Sequence, residues 1–445
     1  MQFKYLNMRN RIGVRYEDKY VMERRVPLIP LHIGKLIKEK DIEVYIERSA
    51  KRVFTDEEYE NAGAILTDDL SNAPVIFGVK EVPVPRLEEG KTYIFFSHVI
   101  KGQPHNMPML KKMMELKCNL IDYERIVDEM GRRLIFFGRH AGLAGMINSL
   151  WSLGQRLEEF GIITPFLDIA QTHHYHSLEE ARKVVSKVGQ KIIEKGLPPE
   201  LKPLVIGITG YGNVSSGAQE ITSLLPVKEI LPEELFSLHK HTHLPDNILY
   251  KVVFREEHMV EPVNPDDHFE LSDYYQHPEK YRSQFEKYLP YLNMLVNCIY
   301  WDSRYPRLLT KDYAEEMFRD GQPRLTVIGD ITCDPDGSVE LTHKGTEIEN
   351  PVFVYNPFTR QPTDGFKGEG ILVMAVDILP SELPRDSSRY FSEVLWKYAA
   401  PIAKADYNAG FKDIKLPSPV KKAMILHHGE FTPDYEYMKK YVGEG

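Results

Sequence analysis

The segment from Pro203 to Leu225 constrains the fold more than any other part of the chain. Its sequence, PLVIGITGYGNVSSGAQEITSLL, is typical of a buried strand, a glycine turn and a helix. Gly210, Gly212 and Ser215 occupy the three positions of the G-x-G-x-x-G pattern, with serine as the third residue. Small residues there permit a tight turn and let a pyrophosphate approach the backbone at the positive end of the helix dipole. We therefore predict a dinucleotide-binding α/β unit, rather than an ordinary strand–helix turn.

The choice of dinucleotide depends on the residue at the tip of the next strand. An acidic residue about 20 positions beyond the turn holds the ribose 2′-hydroxyl of NAD. Counting from Gly210 reaches Ile230, and the strand is predicted to end near Pro232 without an acid at its tip. Glu229 and Glu233 lie close by but miss that position. The missing acid leaves room for a 2′-phosphate, so NADP(H) is favoured and NAD(H) is kept as the alternative, although the nearby base is Lys228 and no arginine is obvious.

Composition bounds the class of protein. The 445 residues are 42% hydrophobic and 27% charged, which suits a globular protein of two or three domains. No apolar run reaches the length of a membrane span, and the start of the chain lacks the apolar core of a signal peptide. Three cysteines are too few for a disulfide framework, so we expect a cytoplasmic protein. A net charge of −9 without a basic tract argues against nucleic acid as a partner.

Strand and helix patterns alternate along the chain, which predicts largely parallel sheets. Short strands are predicted in RIGVR and IEVYIE, and LIDYERIVDEMGRRLIFFG is interpreted as a strand, a turn and a further strand. Two further apolar runs, APVIFGVK and TYIFFSHVIK, each lead to a basic residue, Lys80 and His98. If these strands are parallel neighbours, both side chains lie at the sheet edge where ligands of α/β proteins bind. Such a pair can move protons near neutral pH, although a strand-end lysine or a lone histidine is more often a solvated residue.

Six segments, in order along nearly the whole chain, resemble the saccharopine-forming lysine–2-oxoglutarate reductases. They are ERRVPLIP, GVKE, FFSHVIKGQ, LIDYERIVDEMGRRLIFFGRHAGLAGMIN, GYGNVSSGA and VDILPSELPRDSSRYFSEVL. The chain looks most like the reductase half of the bifunctional aminoadipic semialdehyde synthases. It is more distantly similar to fungal saccharopine dehydrogenase, alanine dehydrogenase and the transhydrogenase α subunit. The acidic tip of the fungal NAD enzyme falls at Pro232 here, which again favours NADPH.

The resemblance implies roles for individual residues. Lys80 and His98 match the catalytic acid–base pair. Substrate-site positions are matched by Arg25, Gln103, Arg132 and Phe137. Cofactor positions are matched by Arg133, by the turn residues Gly210, Tyr211, Gly212, Asn213, Val214 and Ser215, and by Cys298 and Asp330. The implied reaction condenses the ε-amine of L-lysine with 2-oxoglutarate and reduces the imine to saccharopine with NADPH. The alternatives are an alanine-dehydrogenase-like enzyme for another oxo acid and a non-catalytic nucleotide-binding sensor.

The predicted architecture is α/β, with two Rossmann-like parallel-sheet domains and a cleft between them. Residues 1–136, completed by 351–445, are predicted to form the substrate domain. Residues 137–350 are predicted to form the dinucleotide domain, with an insertion around 245–284. Histidines cluster in THHYH (172–176) and LHKHTHL (238–244), but no cysteine or HExxH context accompanies them, so we expect no metal. Small molecules are the expected partners, and assembly into a homo-oligomer is left open.

Overall fold

The computed structural model describes residues 10–238, 240–241, 243–319 and 321–443. The chain forms two compact units, residues 1–137 with 384–445, and residues 138–383. Each unit contains one eight-stranded, mostly parallel sheet, so the α/β class is confirmed. None of the helices in the described ranges is long and apolar enough to cross a membrane.

The first unit is built on a sheet of order β18-β17-β6-β5-β4-β1-β2-β3. The sheet is parallel except that β17 runs antiparallel to β6 and β18 antiparallel to β17. Its strands are β1 Arg11–Val14, β2 Glu43–Glu47, β3 Ile65–Thr67, β4 Val75–Phe77, β5 Thr92–Phe95, β6 Asn119–Asp122, β17 Met424–His427 and β18 Glu430–Phe431. Its helices are α1 Pro30–Lys40, α2 Asp56–Asn61, α3 Met107–Glu115, α11 Pro384–Lys404, α12 Ser418–Lys422 and α13 Lys439–Val442. The central strands β4, β5 and β6 are buried along their whole length, as expected for parallel strands covered on both faces.

The second unit has a sheet of order β15-β14-β16-β13-β12-β7-β9-β8. Its strands are β7 Val205–Thr209, β8 Val227–Glu229, β9 Leu249–Phe254, β12 Met294–Asn297, β13 Val327–Asp330, β14 Val352–Asn356, β15 Gln361–Asp364 and β16 Ile371–Met374. A separate antiparallel pair is formed by β10 Val260–Pro262 and β11 Tyr281–Ser283. The helices are α4 Gly138–Glu159, α5 Leu178–Lys195, α6 Asn213–Thr222, α7 Leu235–Leu238, α8 Glu256–Met259, α9 Leu271–Gln276 and α10 Lys311–Arg319.

Two glycines bring α4 and α6 into close backbone contact. A Cβ atom on Gly142 would lie 1.9 Å from the Val214 carbonyl oxygen, and one on Gly217 would lie 2.1 Å from the Arg139 carbonyl oxygen. Neither position can hold a larger residue unless the helices separate, because both contacts are with backbone. Helix α6 follows the glycine turn, so this packing also positions the turn.

Three predicted boundaries are wrong. The chain returns to the first unit at 384 rather than 351, because β14 and β16 pair with each other and β16 with β13 in the second sheet. The predicted insertion around 245–284 contains β9, which pairs with β7 and β8 in that sheet, so the inserted part begins only after Phe254. The further strand predicted near residues 134–137 is absent; a single bridge joins Val127 to Arg133, and α4 begins at Gly138.

Candidate active site

Lys80 and His98 lie just beyond the ends of two adjacent parallel strands. β4 and β5 are paired in parallel, and Phe77 of β4 lies opposite Ile94 of β5. The pairing continues past the strands, since the amide of Phe96 donates to the carbonyl of Val79 at 3.0 Å. Each basic residue therefore follows a strand whose end is fixed by its neighbour. Both side chains belong to the same edge of the first sheet, where the sequence predicted them.

A buried carboxylate orients His98. The Nδ1 atom of His98 lies 2.8 Å from Glu81 Oε1, and the Nζ atom of Lys19 lies 2.8 Å from Glu81 Oε2. Burial raises the pKa of Glu81, but the hydrogen bond and charge of His98, together with Lys19, hold that pKa well below its ordinary value. The ionised Glu81 accepts the Nδ1 proton, so Nε2 is the ring nitrogen left to exchange a proton.

The backbone at His98 is itself constrained. His98 has a φ of 47°, in the left-handed region that residues other than glycine seldom adopt. The amide group of Asn106 holds this conformation by donating to the His98 carbonyl at 3.1 Å and to Glu81 at 3.3 Å. An outlier of this kind costs free energy and persists only where the surroundings determine it. The imidazole is thereby fixed from both its backbone and its ring.

A second buried carboxylate, Glu23, pairs with Arg25 and is also affected by the charge of Lys80. Glu23 accepts from Arg25 Nε at 2.8 Å and from Nη2 at 2.5 Å, and both side chains are almost completely buried. Burial raises the pKa of Glu23, but Arg25 and then the charge of Lys80 outweigh this effect and lower it. Glu17, another buried acid, accepts from the backbone amides of Val79 at 2.7 Å and Lys80 at 2.9 Å. Lys80 is thus fixed at its backbone and faces a negative charge.

Aromatic rings connect the two groups. The guanidinium of Arg25 lies 4.3 Å from the ring centre of Phe137, which stacks on Phe391 at 4.6 Å. Phe96 lies 6.0 Å from Phe137 and 6.1 Å from His98, measured between ring centres. The structure therefore brings together Lys80, His98, Arg25 and Phe137 from the predicted set.

The other residues predicted for this unit lie on exposed or half-buried loops. The Arg132 side chain is 70% exposed and its Nε lies 2.7 Å from Asp128. Arg133 is 53% exposed and pairs with Glu124. Gln103 accepts from the amide of Lys101 at 3.1 Å. The substrate and cofactor roles of these three residues stay predictions.

Sequence reasoning missed the two carboxylates, Glu23 and Glu81. Both were visible as neighbours of predicted residues, since Glu23 begins ERRVP and Glu81 directly follows Lys80 in GVKE. A carboxylate beside a proposed proton-exchanging base is the pattern that could have identified them.

The predicted glycine turn lies between β7 and α6 in the second unit. Gly210 has a φ of 80°, which glycine adopts without strain, and Gly212 is the N-cap residue of α6. A Cβ on Gly212 would meet no atom within 4 Å, so open space adjoins the backbone at the helix start. Ser215 is buried and accepts from Gln219 at 3.0 Å, while Tyr211 is 47% exposed. The amides of Asn213 and Val214 begin the helix. These features fit the pyrophosphate of a dinucleotide.

A row of buried polar side chains follows the tips of β7, β12 and β13. The Thr209 hydroxyl donates to Asn297 Oδ1 at 3.0 Å, and Asn297 Nδ2 donates to Asp330 Oδ1 at 2.8 Å. Burial raises the pKa of Asp330 to about 6, against the lowering effect of Thr342 and Asn297. Cys298 follows Asn297, its amide donates to Thr209 Oγ1 at 3.2 Å, and burial raises its pKa. Cys298 and Asp330 thus belong to one strand-end row in the same unit as the glycine turn.

The predicted ribose-side strand tip is misplaced. The prediction assumed that the strand ending near Pro232 lies beside β7. Instead β8 ends at Glu229 on the outer edge of the sheet, and β9 lies between β8 and β7. Pro232 begins a short 3-10 helix beyond that edge. Its lack of charge therefore carries no information about the cofactor.

The histidine clusters show no metal geometry in the described ranges. The ring centres of His173 and His174 lie 4.0 Å apart, and the rings are tilted by 35° to each other. His239 of the second cluster lies outside the described residues. Among the residues that are described, no group of three or more His, Cys, Asp or Glu side chains is arranged to hold a metal ion.

The chain is similar to known proteins in both fold and sequence. Residues 13–144 match the family "Alanine dehydrogenase/PNT, N-terminal domain". A solved L-alanine dehydrogenase covers 97% of this chain and 98% of its own with a TM-score of 0.60 at 18% identity. A transhydrogenase from Sinorhizobium meliloti covers 95% of this chain with a TM-score of 0.52 at 14% identity. The fold is that of L-alanine dehydrogenase.

Curated relatives match most of the chain in sequence. The alpha-aminoadipic semialdehyde synthase of Arabidopsis thaliana is 38% identical over 96% of this chain and 41% of its own length. The mitochondrial enzyme of the same name from Mus musculus is 36% identical over 96% of this chain and 47% of its own. The saccharopine dehydrogenase [NAD(+), L-lysine-forming] of Emericella nidulans is 28% identical over 87% and 90%. In sequence the chain is therefore similar to the alpha-aminoadipic semialdehyde synthases and to the L-lysine-forming saccharopine dehydrogenases. It spans less than half the length of the semialdehyde synthases that it matches.

Proposed function

We propose that this chain catalyses the reductive condensation of L-lysine with 2-oxoglutarate to saccharopine, and the reverse reaction, with NADPH as the reductant. The observation that carries the proposal is the pair Lys80 and His98 at adjacent strand ends, each tied to its own buried carboxylate. The names of the relatives support the same substrates. In this reaction the lysine ε-amine attacks the ketone carbon, water leaves, and the resulting carbon–nitrogen double bond is reduced.

His98 is proposed to exchange protons through Nε2. Condensation requires the ε-ammonium of lysine to lose a proton and the carbinolamine hydroxyl to gain one before it leaves as water. An imidazole serves both steps near neutral pH. Glu81 holds Nδ1 and stabilises the imidazolium when it forms, so that the ring does not turn away. Glu81 is a positioning residue in this scheme.

Lys80 is proposed as the second proton-exchanging group, acting through Nζ. Two groups suit a reaction in which one proton leaves the amine and another reaches the hydroxyl. Glu17 fixes the Lys80 backbone and Glu23 provides the neighbouring negative charge. The same Glu23 engages Nε and Nη2 of Arg25, and Nη1 lies outside this bidentate pair. Arg25 is therefore proposed to bind a substrate carboxylate through its remaining edge.

The second unit is proposed to hold the dinucleotide. The Gly210–Gly212 turn and the α6 amides would bind the pyrophosphate, while Cys298 and Asp330 would lie on the nicotinamide side. A bound nicotinamide supplies the hydride that reduces the carbon–nitrogen double bond. A reducing compartment such as the cytoplasm is proposed as the location, since all three cysteines are free thiols.

The decisive assay follows oxidation of NADPH with lysine and 2-oxoglutarate together and with each omitted in turn. NADH is run in parallel, and mass spectrometry identifies the product. We expect oxidation only when both substrates are present, with saccharopine as the product. Lys80→Met and His98→Ala are expected to abolish most turnover. The exposed Lys101→Met, on the same loop as Gln103, is the matched control.

Other results would select an alternative. Oxidation with ammonia and another oxo acid, without dependence on lysine, would indicate an alanine-dehydrogenase-like enzyme. Dinucleotide binding without turnover on any amine and oxo acid pair would indicate a sensor. Either result would refute the proposed reaction.

A further inference from the structure

The order of strands in the second sheet departs from that of a simple dinucleotide-binding unit. There, the strand after the glycine-turn helix lies beside the first strand, and its tip reads the 2′ position of the adenosine ribose. Here the strand after α6 is β8, which lies at the outer edge. On the side of β7 away from β12, the neighbouring strand is β9, and Thr209 of β7 pairs with Phe254 of β9. The tip beside the glycine turn is therefore the tip of β9.

Arg255 is the first residue beyond that tip. The amide of Gly210 donates to the carbonyl of Phe254 at 2.8 Å, so Arg255 directly follows the residue bonded to the first glycine of the turn. β8 ends before the sheet edge at which Arg255 lies, because its last residue, Glu229, pairs with Lys251. Phe254 comes three positions after Lys251, which is about 10 Å at the usual rise of a strand.

The Arg255 side chain is exposed and held over the turn. Its guanidinium lies 4.9 Å from the ring centre of Tyr211, the middle residue of the glycine turn. None of the ion pairs found among the described residues involves Arg255. An arginine stacked on an aromatic face keeps its N–H fork available for a phosphate.

Several acids near this tip already have partners, and the Glu256 carboxylate also acts on Tyr211, whose pKa is raised by burial and by that acid. Glu256 accepts from the Tyr275 hydroxyl at 2.5 Å, and Glu229 pairs with Lys251 at 2.7 Å. Glu233 lies 3.8 Å from His258 Nε2. A ribose 2′-hydroxyl would need one of these carboxylates, whereas a 2′-phosphate would need the guanidinium.

We infer that Arg255, supported by Tyr211, binds the 2′-phosphate of NADP(H) and sets the preference for the phosphorylated cofactor. The inference rests on the dinucleotide-binding role proposed above. It also explains why no residue that could bind the 2′ group is found 20 positions after the turn, since Arg255 comes 45 residues after Gly210. A planar guanidinium binds a phosphate with two parallel hydrogen bonds.

The test compares two fragments that differ only in the 2′-phosphate, 2′,5′-ADP and 5′-AMP, titrated calorimetrically into the full chain. We expect the wild type to bind 2′,5′-ADP about 10- to 100-fold more tightly, the effect of one or two charge-assisted hydrogen bonds. Arg255→Ala should remove this ratio while changing the affinity for 5′-AMP less than about threefold. Arg282→Ala, an exposed arginine on β11, is the matched control and should keep the ratio.

Three outcomes would overturn the inference. The first is that the wild type binds 2′,5′-ADP and 5′-AMP with equal affinity. The second is that Arg255→Ala loses affinity for both fragments to the same extent. The third is that Glu256→Gln, rather than Arg255→Ala, changes the ratio of the two affinities. Neither fragment contains nicotinamide, and no amine or oxo acid is present. A protein that fails to turn over lysine and 2-oxoglutarate but keeps the Arg255-dependent ratio would refute the proposed reaction and leave this inference intact.

Discussion

Replacing Gly217 with alanine should destabilise the second unit through a single backbone collision. The added Cβ would lie 2.1 Å from the carbonyl oxygen of Arg139 and 2.9 Å from the amide nitrogen of Leu143. An ordinary carbon–oxygen contact is about 3.3 Å, so α4 and α6 would have to separate by about 1.2 Å. Overpacking costs about 1–3 kcal/mol, and a rigid backbone partner places this variant near the upper limit.

The expected loss of about 3 kcal/mol corresponds to a melting temperature lower by about 6–12 °C for a unit of this size. Thermal unfolding followed by circular dichroism measures it directly. Gly212→Ala is the matched control, because its φ of −81° suits alanine and a Cβ there meets no atom within 4 Å. We expect this control to melt within about 2 °C of the wild type, as for an uncrowded surface substitution.

Dinucleotide affinity distinguishes Gly212→Ala from Gly217→Ala in a second way. In Gly212→Ala the new methyl group fills the space proposed for the pyrophosphate, so dinucleotide affinity should fall about tenfold or more, which corresponds to about 1.4 kcal/mol. A Gly217→Ala variant with wild-type stability would refute the close packing of α4 on α6. Undiminished NADPH binding by Gly212→Ala would refute the assignment of the glycine turn.

Three further predictions concern the first unit. His98→Ala should lower turnover by about 10²-fold or more, in steady-state assays where the exposed His105→Ala keeps wild-type activity. Because the pKa of Glu81 is lowered on folding, its ionised form stabilises the protein above the unfolded-state value of about 4.3, and this stabilisation is lost as the pH falls. The stability gap between wild type and Glu81→Gln in urea should therefore narrow from pH 6 to pH 3, and a constant gap would contradict the assignment. Arg25→Lys and Arg132→Lys should each raise a substrate Michaelis constant about 10- to 100-fold with dinucleotide affinity unchanged. Arg25 is also paired with a buried acid, so if both variants lost only stability, the two arginines would be structural residues.

The sequence predicted those parts of the site in which local pattern and final position coincide. β4 and β5 are short apolar runs flanked by polar residues, and the basic residue follows each run at once, so Lys80 and His98 could be placed from periodicity. The glycine turn was recognisable for the same reason, since Val205–Thr209, Gly210 and α6 are contiguous. The α/β class followed from the alternation of these elements.

The remainder depended on pairing between distant segments, which periodicity does not encode. The sequence predicts β9 as part of an insertion because it lies in a polar stretch, although five of its six residues pair with β7 at a separation of 45 positions. The strands after 351 join the second sheet through β16, and nothing local distinguishes that choice from a return to the first unit. Glu23 and Glu81 were overlooked because charged residues beside a strand end are usually solvated; only burial reveals that they orient Arg25 and His98.

The discontinuous first unit has a consequence for the order in which the protein forms during synthesis. Its sheet is extended by β17 and β18, which leave the ribosome about 300 residues after the strand β6 that β17 joins. The second unit is a single stretch of chain and is complete before those strands exist. Domains generally fold as units in the order of synthesis. The nascent chain must therefore carry an unfinished sheet, with the edge of β6 exposed, while the second unit folds, which makes that edge the point where a chaperone or a wrongly paired strand competes with β17.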